Sequence, residues 1–181
     1  MREEEQRQIG HERAVGDSFV EWYNVQQDRH LVFLSKRERP DLVYQDKSDG
    51  AIIGLEVTMA YPNKRIAEFE WDFARGKRKA ATIDSFDAER DSFCFINPDE
   101  MLAKDINKRL IEKCKAIPTY DFTNPIILVI NVLASTVSDK TDFECNILPE
   151  VELPECVSCC GVYLRISLDP ECHFYKLYSE E

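Results

Sequence analysis

No apolar run in this chain approaches the ~18 residues that a membrane-spanning helix requires. Its six glycines form no Gly-rich loop of the kind that cradles phosphates. No Gly-x-Ser-x-Gly nucleophile elbow is present. The three histidines, His11, His30 and His173, stand in no metal-ligand spacing, and none is marked as the partner a nucleophilic cysteine would need. Linkers rich in Gly or Ser, repeats and low-complexity tracts are missing too, so one domain over residues 1–181 is expected. The opening residues, Met1 to Gln6, are too acidic and polar for a secretory signal, and a cytoplasmic location is expected.

Positive charge is also short. The chain has 23 Lys and Arg against 34 Asp and Glu, a net charge of −11. Non-specific nucleic-acid binding is driven by phosphate neutralisation, so the overall balance opposes it. One segment runs the other way: Lys64, Arg65, Arg75, Lys77, Arg78 and Lys79 outnumber Glu68, Glu70 and Asp72. It reads either as a phosphate-contacting helix or loop, or as a solvated helix face.

Cysteine is not scarce, but its pattern excludes a disulfide framework. Seven cysteines at irregular spacing leave one over in any pairing. Cys156-x-x-Cys159-Cys160 with Cys172-His173 reads either as a zinc site or as small hydrophobes packed near a helix-to-strand junction.

What is present fits a soluble globular protein: 44% hydrophobic and 31% charged residues, in a chain long enough for a real core. Helical periodicity over 3–25 puts Ile9, Val15, Phe19, Trp22 and Tyr23 on one face, with Glu12 in its middle and Glu21 opposite. Glu5 lies two turns before Glu12 on the same side. Strands are expected at 30–36, from about Asp41, and at 51–60, with a polar turn over 45–50. Alternation puts Ile52, Gly54, Glu56 and Thr58 on one face of the third strand, and Ile53, Leu55, Val57 and Met59 on the other. Glu56 interrupts an otherwise apolar run. An ionised carboxylate there is costly unless compensated, and a divalent cation, which takes oxygen ligands, is a natural compensator.

Further on, helix is expected over 64–90 with a break at Gly76, then a short strand at 94–96. A second helix is expected over 99–117, capped by Asn97 or Asp99, with Pro98 in its first turn. Leu102, Ile106, Leu110, Cys114 and Ile117 form its apolar face. Lys113 projects between Leu102 and Ile106 in angle, Arg109 sits on the edge, and Lys108 and Lys115 point away. Residues 125–133 are continuously apolar, as in a strand buried on both faces. A short helix within 142–160 and a hairpin from 161–167 and 173–178 complete an α/β chain.

Pro40-Asp41, then after a hairpin-length gap Glu56-x-Thr58, resembles the PD-(D/E)xK nuclease superfamily. The resemblance implies a restriction-endonuclease-like core, helix–three strands–helix–strand, in a mixed sheet flanked by helices. It covers about residues 5–133, with 134–181 as an extension. It implies Mg²⁺ or Mn²⁺ held by Asp41 and Glu56, with the carbonyl of Val57 and a helix carboxylate, Glu12, as further ligands. Thr58 stands where the family has its lysine. Lys113 is the candidate for a lysine moved to the following helix, with Arg109 second. The implied activity is metal-dependent hydrolysis of DNA or RNA, with Arg75, Lys77, Arg78, Lys79 and Arg109 as nucleic-acid contacts, and a homodimer as the form that cuts two strands. Thr58 and the acidic charge also fit a second reading, a non-catalytic binding or regulatory protein on the same fold.

Overall fold

Alternating and continuous apolar runs assemble into a six-stranded sheet in simple chain order, β1-β2-β3-β4-β5-β6. The computed structural model describes residues 3–62, 97–133, 137–155, 157–168 and 171–179, with side chains from residue 10 onward. Helix α1 spans Glu3–Gln27 and is followed by β1 (Leu31–Lys36), β2 (Leu42–Asp46) and β3 (Ile52–Ala60). Helix α2 (Pro98–Ala116) leads to β4 (Ile126–Val132), a helical stretch over 140–150 leads to β5 (Gly161–Leu168), and β6 (Glu171–Ser179) closes the sheet. β1, β2 and β3 form an antiparallel meander. β3, β4 and β5 run parallel, and β6 returns antiparallel to β5. Parallel neighbours require a crossover, which α2 and the 140–150 stretch supply within the stretches they span.

All seven residues of β4 are buried, because both faces of the sheet are covered. On one face Ile127, Val129, Leu55 and Val57 pack with Val15, Phe19 and Val20 of α1. On the other, Ile126, Leu128, Ile130 and Ala60 pack with Leu102, Ile106 and Leu110 of α2 and with Phe143 and Ile147. A Cβ on Gly16 would run into Leu42 and the Tyr44 hydroxyl, so this glycine lets α1 lie close over β2 and β3. Phe19 and Trp22 continue the α1 face into a ring cluster with Tyr163 and Phe174. The polar exception in β4 is Asn131, whose Oδ1 accepts from Arg165 of β5 at 2.6 Å.

The expected meander, the two long helices, the doubly buried strand and the terminal hairpin all appear. The turn expected over 45–50 is shorter. Gln45 and Asp46 belong to β2, and Asp46 is fully buried. It stays in the strand because its carboxylate accepts from Ser48 N at 2.8 Å and Arg29 at 3.1 Å. Asn97, not Asp99, precedes the first residue of α2, in a left-handed conformation and without a side-chain cap. The helix and strand expected over 64–96 lie outside the described residues. Among the described residues, no helix is long and apolar enough to cross a membrane.

Candidate active site

The site grows from one misfit in the sheet. Leu55 and Val57 pack toward α1 and Ala60 toward α2, so alternation turns Glu56 to the α2 face. Glu56 is 2% exposed. Its charge is met from α2 and from the connection that follows it. Lys113 Nζ donates to Glu56 Oε1 at 2.5 Å, and the Tyr120 hydroxyl donates to the same oxygen at 2.8 Å. Oε2 is buried and, among the described residues, has no hydrogen-bond partner. One oxygen of the carboxylate is therefore doubly held and the other left open, an arrangement costly to keep in a core without a further ligand.

Asp41 joins from the meander. β2 pairs Leu42 with Leu55, and one step further along that register Asp41 stands opposite Glu56, just where β2 ends. Its Oδ2 accepts from the Val57 amide at 2.8 Å, satisfying a strand N–H beyond the reach of β2. Burial pushes the Asp41 carboxyl up to about 7, helped by the charges of Glu56 and Glu12 and opposed by the Val57 amide and Lys113. Tyr120 is likewise pushed above its ordinary range, by burial and then by its bond to Glu56.

Gly54 makes the convergence possible. A Cβ there would meet Pro40 Cγ at 2.6 Å and Phe122 Cε1 at 2.8 Å. The bare backbone lets the connection carrying Pro40 and Asp41 and the connection carrying Tyr120 and Phe122 close over β3 from two sides.

Asp41, Glu56 and Lys113 thus come together. Thr58 is half-buried further along β3, paired with Ile130 of β4. Glu12 is separate: it lies on α1, on the opposite face, and accepts from Lys36 at 2.8 Å, though its charge still reaches Asp41. The Val57 side chain is core, and its amide is the part tied to Asp41. Arg109 is held by Asp105 at 3.4 Å and Glu112 at 3.3 Å, with Asp105 also accepting from Tyr61 N. Arg75, Lys77, Arg78 and Lys79 lie outside the described residues.

Tyr120 is the site residue that sequence reasoning missed. It sits between α2 and β4, where no periodicity assigns a face. The only available signal was an aromatic ring in a polar connection.

Among the described residues no three His, Cys, Asp or Glu side chains form a ready cage for a metal ion. Of the cysteine cluster, Cys156 lies outside the described residues; Cys159 is buried against Cys114 of α2, and Cys160 Sγ donates to the Ile126 carbonyl. What Asp41 and Glu56 offer is a pair of neighbouring carboxylates in a buried setting, with one orphaned oxygen. Added positive charge would favour ionised Asp41 and give Oε2 a partner, so the donor set fits a hard divalent cation completed by water and ligand.

Fold and site together define an α/β protein with a mixed six-stranded sheet, helices on both faces and a buried acid–lysine pair beside a half-buried acid. The chain matches no model of a known protein family, no curated protein and no solved structure.

Proposed function

We propose that this chain hydrolyses phosphodiester bonds of nucleic acid with a divalent metal, on a core of the restriction-endonuclease type. The observation that carries the reading is the ion pair between Lys113 and Glu56 at 2.5 Å. A helix lysine reaches the strand acid that a lysine at position 58 would have accompanied.

Asp41 and Glu56 would hold Mg²⁺ or Mn²⁺, with the Val57 carbonyl as a further oxygen donor; Glu12, across the sheet and held by Lys36, is left out of this set. The cation supplies a water of lowered pKa and an electrophilic partner for the phosphate. The chain's own residues do the rest. Glu56 presents Oε2, its Oε1 being occupied by Lys113 and Tyr120. Asp41, poised at about 7, gives up its proton when positive charge arrives beside it. Lys113 stands close enough to neutralise charge that develops on a phosphate at this site. Thr58 can orient water or a ligand by hydrogen bonding, but cannot supply a cation.

The test is calorimetric titration of Mn²⁺ into the wild type and Glu56→Gln, followed by a cleavage screen on DNA and RNA with Lys113→Met as the inactive control. Saturable binding lost in Glu56→Gln, with cleavage lost in Lys113→Met, is the expected result. Cleavage that survives either change removes the reading.

A second reading is a binding or regulatory module on the same fold. It is favoured by Thr58 and by the double occupation of Glu56 Oε1, which neutralises the acid without any metal. Nucleic-acid binding with no product under any divalent cation would select it.

A further inference from the structure

We propose that Arg37 and Arg39, on the connection from β1 to β2, bind the phosphates of a nucleic-acid strand and lead it to Glu56. The assignment rests on the hydrolase reading and names the surface through which its substrate is held.

In a chain with 34 acids to 23 bases, cations find carboxylates easily, and most described ones do. Arg13 pairs with Asp17, Arg29 with Asp46 and Asp49, and Lys36 with Glu12. On α2, Lys104 pairs with Glu100, Lys108 with Glu112, and Arg109 with Asp105 and Glu112. Arg37 and Arg39 are exposed and, among the described residues, neither has a carboxylate within ion-pair distance. Each lies over an aromatic ring instead. The Arg37 guanidinium is 5.4 Å from the Phe122 centroid, and that of Arg39 is 5.7 Å from Tyr120. Ring faces attract guanidinium groups at this range while leaving their N–H donors available.

Position adds to this. Arg37 N donates to the Asp41 carbonyl at 3.1 Å, so the connection is a tight turn whose far end is the site acid. Tyr120 carries Arg39 on its ring and binds Glu56 through its hydroxyl. The two arginines therefore lie over the rings of the connection that holds Glu56, with Tyr120 linking Arg39 to that acid. Unpaired guanidinium groups with planar forks suit phosphate oxygens, and the rings of Tyr120 and Phe122 beneath them hold the guanidinium groups in place. Glu38, between the two arginines, is exposed too, so residues 37–39 carry two positive charges against one negative.

The probe is a fluorescein-labelled single-stranded oligonucleotide, followed by anisotropy across a salt series, with Ca²⁺ in place of Mn²⁺ to hold back cleavage. Arg37→Gln/Arg39→Gln is compared with the wild type and with Lys47→Gln/Lys115→Gln, which removes equal charge elsewhere. The expected result is an affinity loss of about tenfold and a log–log salt slope smaller by about 1.4, the value for two phosphates of a single strand. The control pair is expected to leave both unchanged. No binding by the wild type, equal affinity and slope in the arginine variant, or an equal loss in the control overturns the proposal. Displacement of the probe by poly-glutamate as readily as by unlabelled oligonucleotide overturns it in favour of an acidic protein partner. Mn²⁺ titration separates the two levels: a wild type that binds Mn²⁺ but no oligonucleotide sinks this surface alone, whereas a wild type that binds no Mn²⁺ sinks the hydrolase reading.

Discussion

Lys113 Nζ and Glu56 Oε1 lie 2.5 Å apart across 57 residues of sequence, joining the end of α2 to the middle of β3. The Glu56 side chain is 3% exposed and that of Lys113 27%. Removing either partner is therefore not symmetrical. Lys113→Met leaves a buried carboxylate with Tyr120 as its remaining donor, and is expected to cost about 3 kcal/mol, the low end for a broken buried pair. Glu56→Gln leaves a lysine that can swing to water, at a smaller cost. The double variant should be more stable than Lys113→Met alone, and urea unfolding of the set checks the order.

Tyr120→Phe removes the other donor to Glu56 while keeping the ring. A hydrogen bond to a charged acceptor contributes roughly 1.5–3 kcal/mol, and with Tyr120 half-exposed the loss should be near the lower figure. Groups that orient a ligand typically change metal affinity by about 10-fold or more. Calorimetry with Mn²⁺ is expected to register that weakening in a variant whose melting temperature falls only slightly.

The Asp41 carboxyl, held near 7 by burial and by Glu56, makes stability depend on pH in a defined direction. Its folded pKa is raised, so the folded state binds the extra proton. The stability it contributes is complete below the unfolded carboxylate range, near 4, and is lost as pH rises through about 7. In chelator, Asp41→Asn should melt higher than the wild type at pH 8, by about 2–4 °C per kcal/mol gained, and no higher at pH 4. An equal shift at both pH values would show that the charge is not the cause.

Gly54→Ala tests the convergence itself. The added methyl meets Pro40 and Phe122 at 2.6 and 2.8 Å, and overpacking of this kind costs about 1–3 kcal/mol. It also separates the two connections that bring Asp41 and Tyr120 to Glu56. Mn²⁺ affinity should fall together with stability, whereas Gly10→Ala, with open space around it, should leave metal affinity unchanged.

Much of the sheet is legible in the sequence because its signals are local. Alternation in β3 assigns Glu56 and Leu55 to opposite faces, and the apolar run of β4, broken only by Asn131, announces cover on both sides. The apolar stripe of α2 reads directly as Leu102, Ile106, Leu110 and Cys114, all of them buried. The angular count on that helix also directs Lys113 toward the core side. Glu12 is less legible. Periodicity puts it on the apolar face of α1, but cannot say that α1 and α2 lie on opposite faces of the sheet, with Glu12 drawn to Lys36.

The sequence by itself determined the element order, the inward faces and the fact that a carboxylate would be buried in β3, since each depends on residues a few positions apart. Only the tertiary structure decided what that carboxylate meets. Tyr120 and Lys113 reach it across 64 and 57 residues, and Asp41 reaches the Val57 amide across 16. These partnerships depend on how two connections pack over Gly54, a matter of shape and excluded volume that no periodic pattern carries.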